Sequence, residues 1–224
     1  LVLGLFMGSM YIVLFPPNTA PDEHSHIATA YYDANKILFR DGVDEEGYVL
    51  VRKTDAQIQD KMAISLADAS YYYNQLLKKG GQEQAALNRG PLAAPFIAHL
   101  PQAVGIVIGW LFHANGMITL YLGKITALFF YLLCVFWAVR FMPWGKTVMA
   151  VIALFPMSLE IAASYSYDCT VNALSFLFIG YTMYLIYEKE RVTWKDYAFL
   201  TIVGMWMAPC KLVYIFVCGI IFLI

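Results

Sequence analysis

The stretch PDEHSH, residues 21–26, places four titratable side chains, Asp22, Glu23, His24 and His26, within five positions. It follows fifteen uncharged residues and two prolines, so it stands where a chain would leave an apolar environment. A carboxylate at the edge of a low-dielectric region suits general-base work, because partial burial raises its pKa toward the working pH. The same residues admit a structural reading. Thr19 with Asp22 three positions on has the spacing of a capping box, and acids in a first turn complement the helix dipole. Imidazoles beside carboxylates also suit zinc, manganese or iron, although His24 and His26, at i and i+2, do not share a helix face.

Further candidates lie inside apolar runs, where charge is costly and by default suggests function. They are Lys124, Glu160 and Asp168. Glu160 is expected to face the bundle interior or a wet cavity, with Lys124 pairing with it or binding an anion. Asp168, in ASYSYDCTVNAL, either caps the helix that follows or serves a site among the neighbouring hydroxyls. Lys211, in APCKLVY, follows a helix-breaking proline. It reads as a phosphate ligand near free backbone N–H groups, or as a snorkelling interfacial lysine. Arg89, just before GPLAAP, carries the same two readings.

The elements that must position these residues are those of a membrane protein. The chain is 60% hydrophobic and 14% charged. Of its 31 formal charges, 19 fall within residues 16–90, so one polar excursion is set among apolar runs. The net charge of −1 and the lack of a basic stripe argue against a nucleic-acid partner. The expected fold is an all-α multi-span membrane protein. Residues 1–15 form a first transmembrane helix, 16–90 an outer loop domain with interfacial helices, and 91–224 a transmembrane helix bundle. The missing initial Met and the apolar ending FVCGIIFLI suggest the N-terminal part of a longer protein. The four cysteines show no C-x-x-C pair, which argues against a zinc site or a disulfide framework.

Within the excursion, Ile27, Ala30, Tyr31, Ala34, Ile37 and Leu38 recur at helical spacing, as in a helix laid along the membrane interface. YVLVRK reads as extended, and SLADASYYYNQLLKKGG as a second helix ending in lysines and glycine. The short loops VRFMPWGK and EKERVTWK should be cytoplasmic by the positive-inside rule, which leaves Asp168 on the outer side. Counting 91–112 as a crossing would put VRFMPWGK outside. The prolines at 91, 95 and 101 suggest that this segment re-enters or lies on the surface instead.

Taken together, an N-terminal span followed by an outer loop headed by an Asp-Glu pair resembles the GT-C class of integral membrane glycosyltransferases. PPNTAPDEHSHIATAYY, ALFPMSLEIAASYSYDCTVNAL and APCKLVYI are similar in order and spacing to a bacterial family of predicted multi-span membrane proteins. That family is catalogued as a domain of unknown function and grouped with GT-C enzymes. The Pro-Asp-Glu-x-x-His pattern from Pro21 to His26 is the most specific part.

The resemblance implies a GT-C-like bundle in the bacterial plasma membrane and an inverting glycosyltransferase. Such an enzyme passes a sugar from a polyprenyl-phosphate carrier to a glycan or cell-envelope acceptor on the outer face. The acid in the first outer loop acts as base, a role that falls on Asp22 or Glu23. His24, His26, Arg89, Glu160, Asp168 and Lys211 are then substrate-binding candidates, with Lys211 and Arg89 facing the leaving phosphate. Some members of the class use a divalent metal, and Asp22, Glu23 and Asp168 are the residues that would converge on one. The rival expectations are a transporter or flippase of lipid-linked sugars, using Glu160, Lys124 and the break at Pro209, and a non-catalytic scaffold. No inverted repeat is visible to support the transporter.

Overall fold

The computed structural model describes residues 1–59, 66–81 and 83–224. In chain order the elements are α1 (Val2–Leu14), α2 (Glu23–Ile37), β1 (Leu50–Arg52), α3 (Lys53–Gln59), α4 (Leu66–Gln75) and β2 (Gln84–Ala86). There follow α5 (Leu100–Leu111), α6 (Gly116–Phe141), α7 (Lys146–Ala153), α8 (Pro156–Ala162), α9 (Asp168–Tyr187) and α10 (Trp194–Met207). Among the described residues, α6 and α9 are the two helices long and apolar enough to cross a membrane. At 1.5 Å per residue they reach about 39 and 30 Å, against a hydrocarbon core of about 30 Å.

Two cores share α6. In the bundle core, Leu128, Tyr131 and Leu132 of α6 pack with Leu174 and Phe178 of α9 and Leu200 and Met207 of α10. In the second core, Ile27 and Tyr31 of α2 meet Ala103, Ile106 and Trp110 of α5 and Met117 and Leu120 of α6. The polar region's apolar core thus extends past residue 90 to take in α5 and the first turns of α6. Gly105 makes the α5–α6 approach possible, since a Cβ there would overlap the carbonyl of Leu122.

This packing corrects two expectations. The stripe on α2 does not lie in lipid headgroups: Ile27, Ala30, Tyr31 and Ala34 are fully buried within the protein, where α5 supplies the apolar surface. The helix in SLADASYYYNQLLKKGG stops at Gln75, before the lysines. Asn115 Nδ2 donates to the carbonyls of Leu76 and Lys78 and so takes over the chain's exit. Ser65, at the start of that stretch, lies outside the described residues. The extended reading of YVLVRK holds: β1 pairs antiparallel with β2, Leu50 opposite Ala86. The four cysteines are free thiols.

A buried charge cluster fastens this small sheet to the helices. Arg52 clasps Asp55 through two nitrogens at 2.9 Å each and also reaches the carbonyl of Ala114 at 2.8 Å. Trp110 Nε1 donates to the same Asp55 carboxylate at 3.0 Å.

Helix directions follow from side-chain contacts. α1 runs against α6, with Gly4 facing Leu132, Gly8 facing Leu128, and Lys124 Nζ donating to Phe15 O. α9 runs with α6, since Cys169 meets Ala127 and Gly180 meets Ala138. Between them α7 and α8, broken before Pro156, bring the chain back. α5 is about 18 Å long and lies along the first half of α6, so 91–112 does not pass through the bundle. The two basic loops accordingly fall at the end of the bundle away from the polar region, as the charge rule requires. Large apolar side chains such as Phe6, Phe129, Val148 and Met205 are exposed on the outer faces, which suits lipid and not water.

Candidate functional site

The chain enters α2 through a left-handed turn. Asn18 and Asp22 both have positive φ, 69° and 53°, a conformation that Asn and Asp tolerate better than most residues. The capping box of Thr19 and Asp22 does not form, because α2 begins only at Glu23 and the Thr19 hydroxyl donates to Pro16 O at 2.6 Å; Asp22, at the N-cap, makes no side-chain cap bond. Glu23 reaches back instead: its Oε2 accepts from Thr19 N–H at 3.1 Å and Ala20 N–H at 3.3 Å. Its Oε1 accepts from Tyr165 N–H at 3.1 Å and from Lys124 Nζ at 3.2 Å. Both side chains of that ion pair are essentially fully buried. Glu23 therefore joins the ends of α1 and α2 to α6 and to the segment before α9. Lys124 is committed to Glu23 and Phe15, not to Glu160.

Asp22 takes the opposite direction. It is exposed and lines a cleft of about 720 Å³ between the polar region and the bundle. Ser25 and His26 of α2 form one side, with 92–94 held over α2 by Leu92 N–H donating to Thr29 Oγ1 at 2.9 Å. Glu160 of α8 and Tyr167 and Asp168 at the start of α9 form the other. Gln102 Nε2, on α5, donates to Ser166 O at 3.2 Å and ties the two sides together. Glu160, expected to face the bundle interior or a wet cavity, stands in this wall.

Asp168 opens α9 without capping it; its carboxylate instead receives Lys211 Nζ at 2.8 Å. Lys211 also stands 5.6 Å from the centre of the Tyr167 ring. The pair is partly exposed, 43% for Lys211 and 31% for Asp168, so the cation remains open to a ligand at the cleft's rim. α10 reaches this corner because its helix ends at Met207 and Trp206 Nε1 donates to Ile97 O at 2.7 Å.

A second histidine joins the site from α5. His99, fully buried at the N-cap, brings Nε2 to 2.9 Å from His26 Nδ1. Both rings meet Tyr167 edge-on, at 5.2 and 5.8 Å between centres. Burial pushes His99 down to about 3, with His26 adding a smaller push. Burial also lowers His26, against the opposing pull of Asp168, Asp22 and Glu23. His99 escaped the sequence reading because a lone histidine in FIAHLPQ carries no spacing signal.

The structure thus brings together Asp22, His26, Glu160, Asp168 and, through Asp168, Lys211. His24 and Arg89 do not line the cleft; Arg89 lies beside the small sheet, where its carbonyl accepts from Val49 N–H at 3.0 Å. No group of three His, Cys, Asp or Glu side chains suited to a metal gathers among the described residues. Asp22, Glu23 and Asp168 do not converge, because Glu23 is turned inward onto Lys124.

These features define a mostly helical membrane protein with a polar region at one end of its bundle and a polar cleft at the junction. The chain belongs to the family described as predicted membrane protein (DUF2142), which it matches over residues 5–224. No match was found among curated proteins or among solved structures.

Proposed function

We propose that this chain carries the acceptor and donor site of a multi-pass membrane glycosyltransferase of GT-C type. Its substrates would be a polyprenyl-phosphate-linked sugar and a cell-envelope acceptor on the outer face of the plasma membrane. The observation that supports this reading best is the cleft, where carboxylates, hydroxyls and an imidazole meet a partly exposed lysine at the end of an apolar bundle. A sugar needs many hydrogen-bonding partners, and its lipid phosphate needs a cation beside apolar surface.

In this reading Asp22 is the base and Glu23 is not. Asp22 has an open carboxylate facing the cleft, whereas both oxygens of Glu23 are occupied by four donors. As the acceptor oxygen attacks the anomeric carbon, its proton passes to Asp22. The bond from that carbon to the phosphate oxygen breaks, and the electron pair leaves with the polyprenyl phosphate. Lys211 supplies positive charge for that leaving group at the rim. Elsewhere in the cleft Asp22 and Glu160 would repel the phosphate, whereas at this corner the Asp168 carboxylate is already paired with Lys211. An apolar groove of about 410 Å³ beside Gly204, Met205 and Pro209 offers a seat for the lipid tail.

The transporter reading uses Glu160, Lys124 and the break at Pro209 as a substrate path, and of these Lys124 is occupied by a buried pair with Glu23. The deciding experiment follows the polyprenyl-phosphate sugar pool in membranes holding the full-length protein at matched expression. Asp22→Asn should abolish sugar release while leaving the protein folded. Normal turnover in that variant would return the site to a transporter or a scaffold.

A further inference from the structure

The His26–His99 contact has one direction that its surroundings favour. The two rings share a single proton between Nδ1 of His26 and Nε2 of His99, 2.9 Å apart. If His26 were the donor, neutral His99 would carry its own hydrogen on Nδ1. That atom is buried and has no hydrogen-bond partner. A buried N–H without an acceptor is the rarer and costlier kind of orphan. If His99 donates through Nε2–H, its Nδ1 is a bare lone pair, and His26 must carry its hydrogen on Nε2.

The cleft points the same way. His26 lines it together with Asp22, Glu160 and Asp168, three groups that accept hydrogen bonds when ionised. An N–H directed among carboxylates is favourable, and a lone pair there is not. Tyr167 packs edge-on against both rings and holds the pair in register.

We infer that His99 is a positioning residue whose buried ring fixes His26 in one tautomer, so that His26 presents Nε2–H as a permanent neutral donor to an oxygen of the sugar-phosphate ligand. The ligand half of this statement rests on the transferase reading; the tautomer half does not. A fixed donor suits this cleft. A charged imidazolium would bind its carboxylate neighbours, and a rotating neutral ring would offer donor and acceptor alternately. His99 opposes both alternatives: an imidazolium at His26 would donate from Nδ1 and force neutral His99 to carry its hydrogen on the orphaned Nδ1, and the Tyr167 contacts hold both rings against turning.

The test uses the full-length protein in bilayers, labelled with ¹⁵N-histidine and free of ligand, with His26→Gln and His99→Gln to assign the rings. The expected spectrum at neutral pH has both His26 and His99 protonated at Nε2 alone. His99→Leu should turn the His26 signal into a mixture of tautomers. His99→Gln, whose amide N–H stands in for Nε2–H, should restore a single form. In turnover with a polyprenyl-phosphate-linked sugar, His99→Leu should raise KM about threefold to tenfold at little cost in kcat, and His99→Gln should recover most of it. A wild-type spectrum with His26 protonated at Nδ1 overturns the inference, as does a His26 signal unchanged by His99→Leu. Failure of the transferase reading has a separate signature: these ligand-free spectra stay as expected while Asp22→Asn turns over normally.

Discussion

Replacing Glu23 by Gln and Asp22 by Asn removes one charge from adjacent residues, yet the two changes should differ in kind. Glu23 lies fully buried and accepts four hydrogen bonds, two on each oxygen. A glutamine keeps one acceptor oxygen and puts an NH₂ at the other position. Whichever way it turns, donor meets donor, at Thr19 and Ala20 or at Tyr165 and Lys124. Lys124, 1% exposed, is left with no counter-charge, facing neutral acceptors such as the carbonyl of Phe15. Breaking a buried pair from one side costs about 3–5 kcal/mol, a large share of a typical domain's stability. Asp22 is exposed and makes no cap bond, and Asn tolerates its left-handed backbone equally well, so Asp22→Asn should stay within about 0.5 kcal/mol. The assay is thermal unfolding of the full-length protein in detergent, read beside sugar release in membranes. Glu23→Gln should melt far below wild type and lose activity with its fold. Asp22→Asn should melt normally and lose activity alone. Adding Lys124→Met to Glu23→Gln should recover part of the loss, because no lone buried charge remains. A Glu23→Gln protein as stable as wild type would refute the argument that this acid is a structural anchor.

Three further outcomes follow from the same geometry. Asp55→Asn strips the Arg52 guanidinium of its carboxylate and weakens the Trp110 bond, so unfolding followed by tryptophan fluorescence should show a loss of about 3–5 kcal/mol. Lys211→Ala breaks a partly exposed pair worth about 0.2–1 kcal/mol; stability should barely change while KM for the polyprenyl-phosphate donor rises, with Lys211→Arg recovering part of the binding. Burial in the fold pushes His99 from its ordinary value of 6.5 down to about 3, so the folded state loses stability as pH falls below 6.5. Between pH 6.5 and 5 this group contributes a loss of about 2 kcal/mol that His99→Gln should lack. Asp33, pushed up to about 7 by burial, acts with the opposite sign, so the measurement compares variant with wild type at each pH.

Much of this architecture is legible in the chain. Uncharged runs, a single polar excursion and two basic loops are enough to place α6 and α9 and the end of the bundle that carries Asp168. What the sequence does not reveal is what each apolar stripe faces. Ile27, Tyr31 and Ala34 repeat as they would on an interfacial helix, and periodicity cannot tell lipid from the surface of α5. Segment 91–112 is apolar enough to be counted as a crossing; its helix begins only at Leu100, after Pro91, Pro95 and a 3-10 turn at Phe96–Ala98. In the site, Asp22, Glu160 and Asp168 stood out as charges in costly places. His99 did not, since nothing in its neighbours hints that a residue 73 positions from His26 will meet it. Lys124 is conspicuous too, but neither of the readings its sequence offers, a pair with Glu160 or an anion, points to Glu23. Long-range pairing follows from helix direction, and α1 lying against α6 brings Phe15, and with it Glu23, to Lys124.

Two acids stand side by side at Asp22–Glu23 because the junction needs one facing each way. Consecutive residues on a helix point about 100° apart, and Asp22 sits in the left-handed turn that leads into α2. Glu23 turns inward, where it neutralises Lys124 and holds the backbone of Thr19, Ala20 and Tyr165 in one cluster. Tyr165 lies two residues before Tyr167 and three before Asp168, so this anchor also fixes the far wall of the cleft. Asp22 can remain exposed and unbonded because its neighbour has already fixed the backbone that aims it. In the proposed reaction a single acid could not do both tasks: the bonds that would hold the chain in place would fill the lone pairs that a base must keep open.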